Sequence, residues 1–372
     1  MHQTTLSQIK KVIILGPTRE TLTIGNAMSS IANRQLQVEK ILTVVPLSGI
    51  KLDRSELLPI LKEKLKGSDS STLVISDIGE TRPYKFEQIA ADVKENSNNA
   101  AVVLLTSKPE CVGKEENLKS LVASRGFEPD KVISQIDYIF QYTGVSGLFP
   151  MMAAVHESKL NYMSDHERSI LVFESRPNYY TGYLTELYNF SKDRTRLLLA
   201  RNYDEAVEII NGVKQRFAGA ILGMRYPGDS FRLMKMLRMY NKGVPVIMQS
   251  SKPERLDMAR KDPSVFTLDK NDLNLFRSLG EIIRDYFGFG DFIFRTSAGV
   301  EIGRARDLAE LCSLIGSLDG GILLGHAARN DFSNWLYLHG YKNAAEAIKP
   351  VYTDDSELLR SMLLSDLLPH LK

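Results

Sequence analysis

His326, Arg329, Asn330, Ser333 and Trp335 stand close together in one stretch, HAARNDFSNWLYLHG, late in a chain of 372 residues. An imidazole, a guanidinium, an amide and a hydroxyl at such spacing could bind an anion or a partner protein. On one helix His326 and Asn330, four apart, would share a face, with Ser333 and Trp335 flanking it. The same residues also fit a packed helix in which Trp335 is core and His326 hydrogen-bonds locally. Both readings stand at this point.

Other chemistry is sparse. His326 and His339 do not have metal-ligand spacing, and no Cys or acidic residue completes a set, so neither a metal nor a cofactor is expected. GPTRET is neither GxGxxG nor GxxxxGK[ST], and GVSGL lacks the spacing of GxSxG. Cys111 and Cys312 are far apart and form no CxxC; they read as buried free thiols of a reducing cytoplasm. Tyr179, Tyr180 and Tyr183 crowd one helix, where packing accounts for them.

Positioning any site requires elements, and the composition permits a sizeable core. Hydrophobic residues make up 43% and charged residues 25% of the chain, as in an ordinary globular protein. With 47 basic and 45 acidic residues the net charge is +2. No strong field or aromatic-interleaved basic stripe points to nucleic acid. The opening MHQTTLSQIKKVIILG has too short an apolar run for a leader and reads as a first strand. No run approaches the ~20 apolar residues of a membrane span, so a cytoplasmic location is expected.

Apolar runs rich in β-branched residues alternate with amphipathic stretches. Strands are expected at Lys10–Gly16, Val38–Val45, Ser71–Asp77, Ala100–Thr106 and Gln135–Phe140, with helices between them, the first over Thr21–Asn33. The series then restarts, with strands at Ser169–Ser175, Thr195–Arg201, Ala218–Met224, Val244–Ser250 and Ser264–Lys270. The tetrapeptide SKPE follows the fourth strand of each series, at Ser107–Glu110 and Ser251–Glu254. Each half therefore reads as (βα)₅ with a parallel sheet. Gly290–Ala305 reads as a hairpin around Ser-Ala-Gly and is followed by helices. The expected fold is α/β: two tandem (βα)₅ flavodoxin-like, receiver-like domains with parallel sheets over 1–160 and 161–289, and a small C-terminal α+β module over 290–372.

The second series resembles a response-regulator receiver domain over roughly Ser169–Tyr286. ILVFESRP resembles its first strand, ILGMRYPG its third, VPVIMQSS its fourth and VFTLDK its fifth. Such domains phosphorylate an Asp at the end of the third strand, with strand-end acids for Mg²⁺, a hydroxyl after the fourth strand and a Lys after the fifth. The resemblance places Glu174, Gly223, Ser250 and Lys270 at these positions. Glycine in place of the acceptor Asp makes this copy a pseudo-receiver, and Ser175 replaces the other acid. In the first copy Asp77 and Thr106 take the acceptor and hydroxyl places. There Gly16-Pro17-Thr18 supplies no acids, and Gln141 stands near the place of the Lys. Both phosphorylation sites are thus expected to be vestigial.

The tandem arrangement, with FGFGDFIFRTSAGVEIGRARDL and GHAARNDFSNWLYLHG after it, resembles the N-terminal regulatory region of bacterial phosphoenolpyruvate synthase/pyruvate phosphate dikinase-like proteins. That resemblance implies a non-catalytic signalling or regulatory protein, not an enzyme, acting through protein partners. It implies no nucleic acid, membrane or cofactor. A phosphorelay regulator phosphorylated at Asp77, or a regulatory subunit of a phosphoenolpyruvate synthase-like enzyme, are the alternatives. The partner, the signal and the oligomeric state are not legible in the sequence.

Overall fold

The computed structural model describes residues 9, 11–15, 37–41, 53–69, 72–77, 84–97, 99–107, 115–144, 147–156, 158, 168–191, 195–348 and 353–371. The chain divides into two compact units. One comprises Met1–Asn161 with Arg176–Thr185, the other Tyr162–Ser175 with Glu186–Lys372.

In the first unit β1 (Lys11–Leu15), β2 (Gln37–Ile41), β3 (Thr72–Asp77), β4 (Ala101–Thr106) and β5 (Tyr138–Gln141) form a parallel sheet in the order β2-β1-β3-β4-β5. Every residue of β3 and β4 is buried, which explains their nearly continuous apolar sequence: a parallel sheet is covered on both faces. Leu57, Leu61 and Leu65 repeat at four-residue intervals along the helix Arg54–Leu65 and join Ile89 and Val93 of the helix Phe86–Asn96 in one apolar cluster. Asp53 accepts the Ser55 and Glu56 amides while Glu56 reaches back to the Asp53 amide, a capping box that fixes where the helix begins. The helix expected over Thr21–Asn33 lies outside the described residues. So does the end of the expected second strand beyond Ile41. The six-residue helix Pro129–Ser134 has no counterpart in the sequence reading, because so short a segment shows no period.

In the second unit β6 (Arg168–Phe173), β7 (Thr195–Ala200), β8 (Phe217–Gly223), β9 (Val246–Ser250) and β10 (Val265–Asp269) pair in parallel in the order β10-β9-β8-β6-β7. Read from the β7 edge this is the same order as in the first sheet. The order reverses direction between β6 and β8, a topological switch point. Leu171, Leu198, Leu222 and Met248 share one core with Ile210 and Leu233 of the helices Tyr203–Val213 and Pro227–Tyr240. The α/β class with parallel sheets therefore forms, and each described strand falls where the apolar runs place it.

The same unit continues into an antiparallel hairpin, β11 (Phe292–Arg295) and β12 (Glu301–Ala305), and, among the described residues, five α-helices beginning at Leu308. Phe292, Phe294, Leu311, Phe332, Trp335 and Leu359 lie in one apolar cluster there. One expectation fails. HAARNDFSNWLYLHG is not one helix but two, Gly320–Ala328 and Asp331–Leu338, broken at Asn330, which has φ 60°. Asparagine tolerates this left-handed conformation better than most residues. His326 and Asn330 consequently share no helix face. No helix among the described residues is long and apolar enough to cross a membrane.

Candidate functional site

Parallel sheets place their chemistry at the carboxyl ends of the strands. In the first unit Asp77 ends β3 and Thr106 ends β4, and both are buried. Asp77 stands opposite Leu105, and Thr106 opposite Gln141. Gly16-Pro17-Thr18 lies outside the described residues.

In the second unit the structure brings Glu174 and Lys270 into direct contact. The Lys270 ammonium donates to Glu174 Oε2, and each side chain is only 1% exposed. Gly223 explains how the carboxylate gets there. A Cβ on Gly223 would lie 2.6 Å from Glu174 Oε2 and 3.0 Å from the Phe173 carbonyl oxygen. The place where the receiver pattern puts an acceptor Asp is thus filled by a neighbouring carboxylate, itself neutralised by Lys270. Ser250 is also engaged, its Oγ accepting the Lys252 amide at 3.1 Å. Ser175 Oγ accepts from Arg225 Nη1 at 3.4 Å. This edge is a closed ion pair rather than an open phosphate pocket.

An open site lies elsewhere in the same unit. A cleft of about 310 Å³ is walled by the starts of β9 and β10, the end of the helix Leu275–Tyr286, the hairpin and the Arg329–Trp335 segment. Tyr286 and Phe266 form an apolar wall, their rings 4.4 Å apart. Arg295 lies over Tyr286, its guanidinium carbon 4.1 Å from the ring centroid, within the range of a cation–π contact. Arg295 Nη1 donates to the Asp285 carbonyl at 3.2 Å. Its Nε and Nη2 have no hydrogen-bond acceptor among the described residues.

The charges of the cleft do not cancel. Asp285 is held by Arg284 at 2.8 Å, Asp291 by Arg304 at 3.3 Å, and Asp331 by Arg329 at 2.8 Å. Arg304 also grips Glu301, whose hydrogen bonds from it hold that carboxyl below its ordinary value. Each lining carboxylate therefore already has a cation. Arg238 is spent on Asp262 at 2.9 Å. The Lys242 ammonium has no ion pair among the described residues, and Lys242 is exposed. Because Arg304 serves both Asp291 and Glu301, Lys242 and Arg295 together leave the cleft a surplus of one positive charge. Gly243 allows the approach of Arg329: a Cβ there would lie 2.3 Å from the Arg329 Cβ.

The structure separates the residues that the sequence grouped. His326 and Trp335 line the cleft with Arg329. Trp335 is 1% exposed and donates from Nε1 to the Gly290 carbonyl at 2.8 Å. Ser333 is buried away from the lining, 3.4 Å from Arg168 Nη2. Asn330 makes the bend between the two helices. Sequence reasoning missed Lys242, Tyr286 and Arg295. Their signal was faint: Arg295 is a charged residue closing the otherwise apolar strand FIFR.

No family model matches the chain, and no curated protein does. Solved structures do match. A putative phosphosugar isomerase from Bacillus subtilis matches at 10% identity and a TM-score of 0.23, over 77% of this chain and 90% of that one. Another from Salmonella typhimurium LT2 gives 12% and 0.23, over 74% and 84%. The C-terminal domain of glucosamine-fructose-6-phosphate aminotransferase from Francisella tularensis gives 10% and 0.22, over 72% and 79%. None of the three is a receiver or a phosphoenolpyruvate synthase-like protein.

The receiver and phosphoenolpyruvate synthase resemblances are therefore withdrawn. With them go the two-component signalling role, the phosphorelay through Asp77 and the expectation that the chain is not an enzyme. At such TM-scores the matches lend no argument to any substitute. The physical reason the receiver pattern misled is local. Glu174, Ser250 and Lys270 stand at the right strand ends, but any parallel α/β sheet gathers polar residues there, and here Glu174 and Lys270 bond to each other beside Gly223.

Proposed function

We propose that the unit containing Glu186–Lys372 is a receptor for a small dianionic ligand, a phosphate monoester of a compact organic molecule, bound in the cleft beside Arg295. The observation that carries this reading is the Nε and Nη2 pair of Arg295, uncommitted among the described residues, over the Tyr286 ring in a cleft that Lys242 also lines. A guanidinium with two free donors on one edge matches two oxygens of a phosphate. The cavity volume falls within the range of small-molecule sites, about 300–1,000 Å³. The Phe266 and Tyr286 rings offer an apolar wall to the organic part.

Calorimetric titration with glycerol phosphate and with a hexose 6-phosphate tests the reading. Saturable one-to-one binding is expected, weakened about tenfold or more by Arg295→Ala, the loss of a charge-assisted pair. Lys242→Ala should weaken it less, because a flexible ammonium contributes as a point charge. Equal binding by the wild type and Arg295→Ala would place the ligand elsewhere and defeat the proposal.

A further inference from the structure

His326 is 3% exposed, and the rings of Phe292, Phe294 and Phe332 surround it with centroids 5.2, 5.5 and 5.9 Å away. Its Nε2 lies 3.1 Å from the Arg295 backbone nitrogen, which can only donate. That nitrogen of the ring therefore carries no proton. In the neutral ring the proton sits on Nδ1, 2.7 Å from Asp331 Oδ2. Arg329 Nη2 approaches the same Nδ1 at 3.1 Å, but two donors cannot bond to each other. Arg329 is instead held by Asp331, at 3.0 Å through Nε. Asp331, Arg329 and Arg295 are the charged groups facing the imidazole.

The bond from Arg295 falls at a special place in the hairpin. The pairing register of β11 and β12 shifts there: Phe294 stands opposite Gly303 and Arg295 opposite Glu301, so the extra residue is Ile302 of β12. The Arg295 amide beside this shift donates to the imidazole.

We infer that His326 is the positioning residue of the cleft: through its Nε2 it fixes the Arg295 backbone, and so sets where the Arg295 guanidinium meets the ligand. The inference rests on the anion-site reading and names the residue on which that site's geometry depends. Asp331 acts one step further out, by fixing the tautomer that leaves Nε2 free to accept.

Sulfate is the probe, since it is dianionic across the working pH range. Two variants of His326 separate positioning from packing. In His326→Asn the amide reaches only the place of Nδ1, so the Asp331 contact can persist while the Arg295 contact cannot. In His326→Gln the amide oxygen reaches the place of Nε2. Sulfate binding is expected to weaken about tenfold in His326→Asn, the scale of one lost buried hydrogen bond, and to recover most of that in His326→Gln. Equal weakening in both variants, or none in either, would overturn the inference. Arg295→Ala is titrated alongside. If it abolishes sulfate binding while both His326 variants bind as the wild type does, the anion site stands and the positioning role falls. If the wild type itself fails to bind sulfate, the anion-site reading falls and the inference with it. Should neither His326 variant fold, the ¹⁵N spectrum of the wild-type imidazole decides: a proton on Nδ1 with an accepting Nε2 supports the role, and a proton on Nε2 overturns it.

Discussion

Lys270 and Glu174 show how much one glycine can decide. An exposed pair at a strand end would contribute roughly 0–1 kcal/mol. This pair is buried, so removing one partner strands a charge away from water. Lys270→Ala is expected to destabilise the second unit by about 3–5 kcal/mol. A double-mutant cycle with Glu174→Gln in urea melts should be strongly non-additive, and additive effects would show that the two side chains do not interact. Asp262 makes a second case at this scale. Burial pushes its carboxyl up, but hydrogen bonds from Ser264 and Arg238 outweigh that and leave it below its ordinary value. A lowered folded-state value means that the ionised carboxylate stabilises the fold. That contribution is fully present above the unfolded value, about 3.9, and is lost as pH falls through the lowered one. The stability difference between the wild type and Asp262→Asn should therefore be constant near neutrality and shrink in acid. A difference that grows on acidification would contradict the ion pair with Arg238.

Elements were legible where their physics is local. Apolar β-branched runs marked the strands because buried parallel strands tolerate little else. Helix starts are local too: Asn202 accepts the Glu205 amide at 2.9 Å at the start of Tyr203–Val213, although the sequence reading did not single this cap out. Asn202→Ala should cost about 1 kcal/mol in thermal or urea melts, whereas Asn202→Asp should cost little, and equal losses would remove the capping account. The break at Asn330 was not legible, since HAARNDFSNWLYLHG keeps helical spacing on both sides of it and a single left-handed residue leaves no periodic signal. The cleft was not legible either. Lys242, Tyr286, Arg295 and Arg329 come from separate segments, and only the fold brings them to one wall. The part of the site that could be read was the cluster on one segment, His326, Arg329 and Trp335. Even there Asp331, which bonds to His326 Nδ1, was not singled out.

At the scale of the molecule, the repeated SKPE marks a repeated architecture and not a repeated activity. Both five-stranded sheets share one strand order, and in each the tetrapeptide follows the fourth strand. Yet the carboxyl edge of the second sheet is sealed by its own ion pair, and the open, positively charged cleft lies among the strand starts, where this unit continues into the hairpin and its helices. On the proposed reading the ligand binds at the end of the sheet opposite the strand ends that the resemblance marks. The two locations can be told apart directly with selenate, a dianion visible by its anomalous scattering. In crystals soaked with selenate, the account expects a strong anomalous peak in the cleft, within hydrogen-bond reach of Arg295 Nη2 and the Lys242 ammonium. A cleft without selenate, with the peak instead at the carboxyl ends of β6 and β8 beside Glu174 and Lys270, would contradict it.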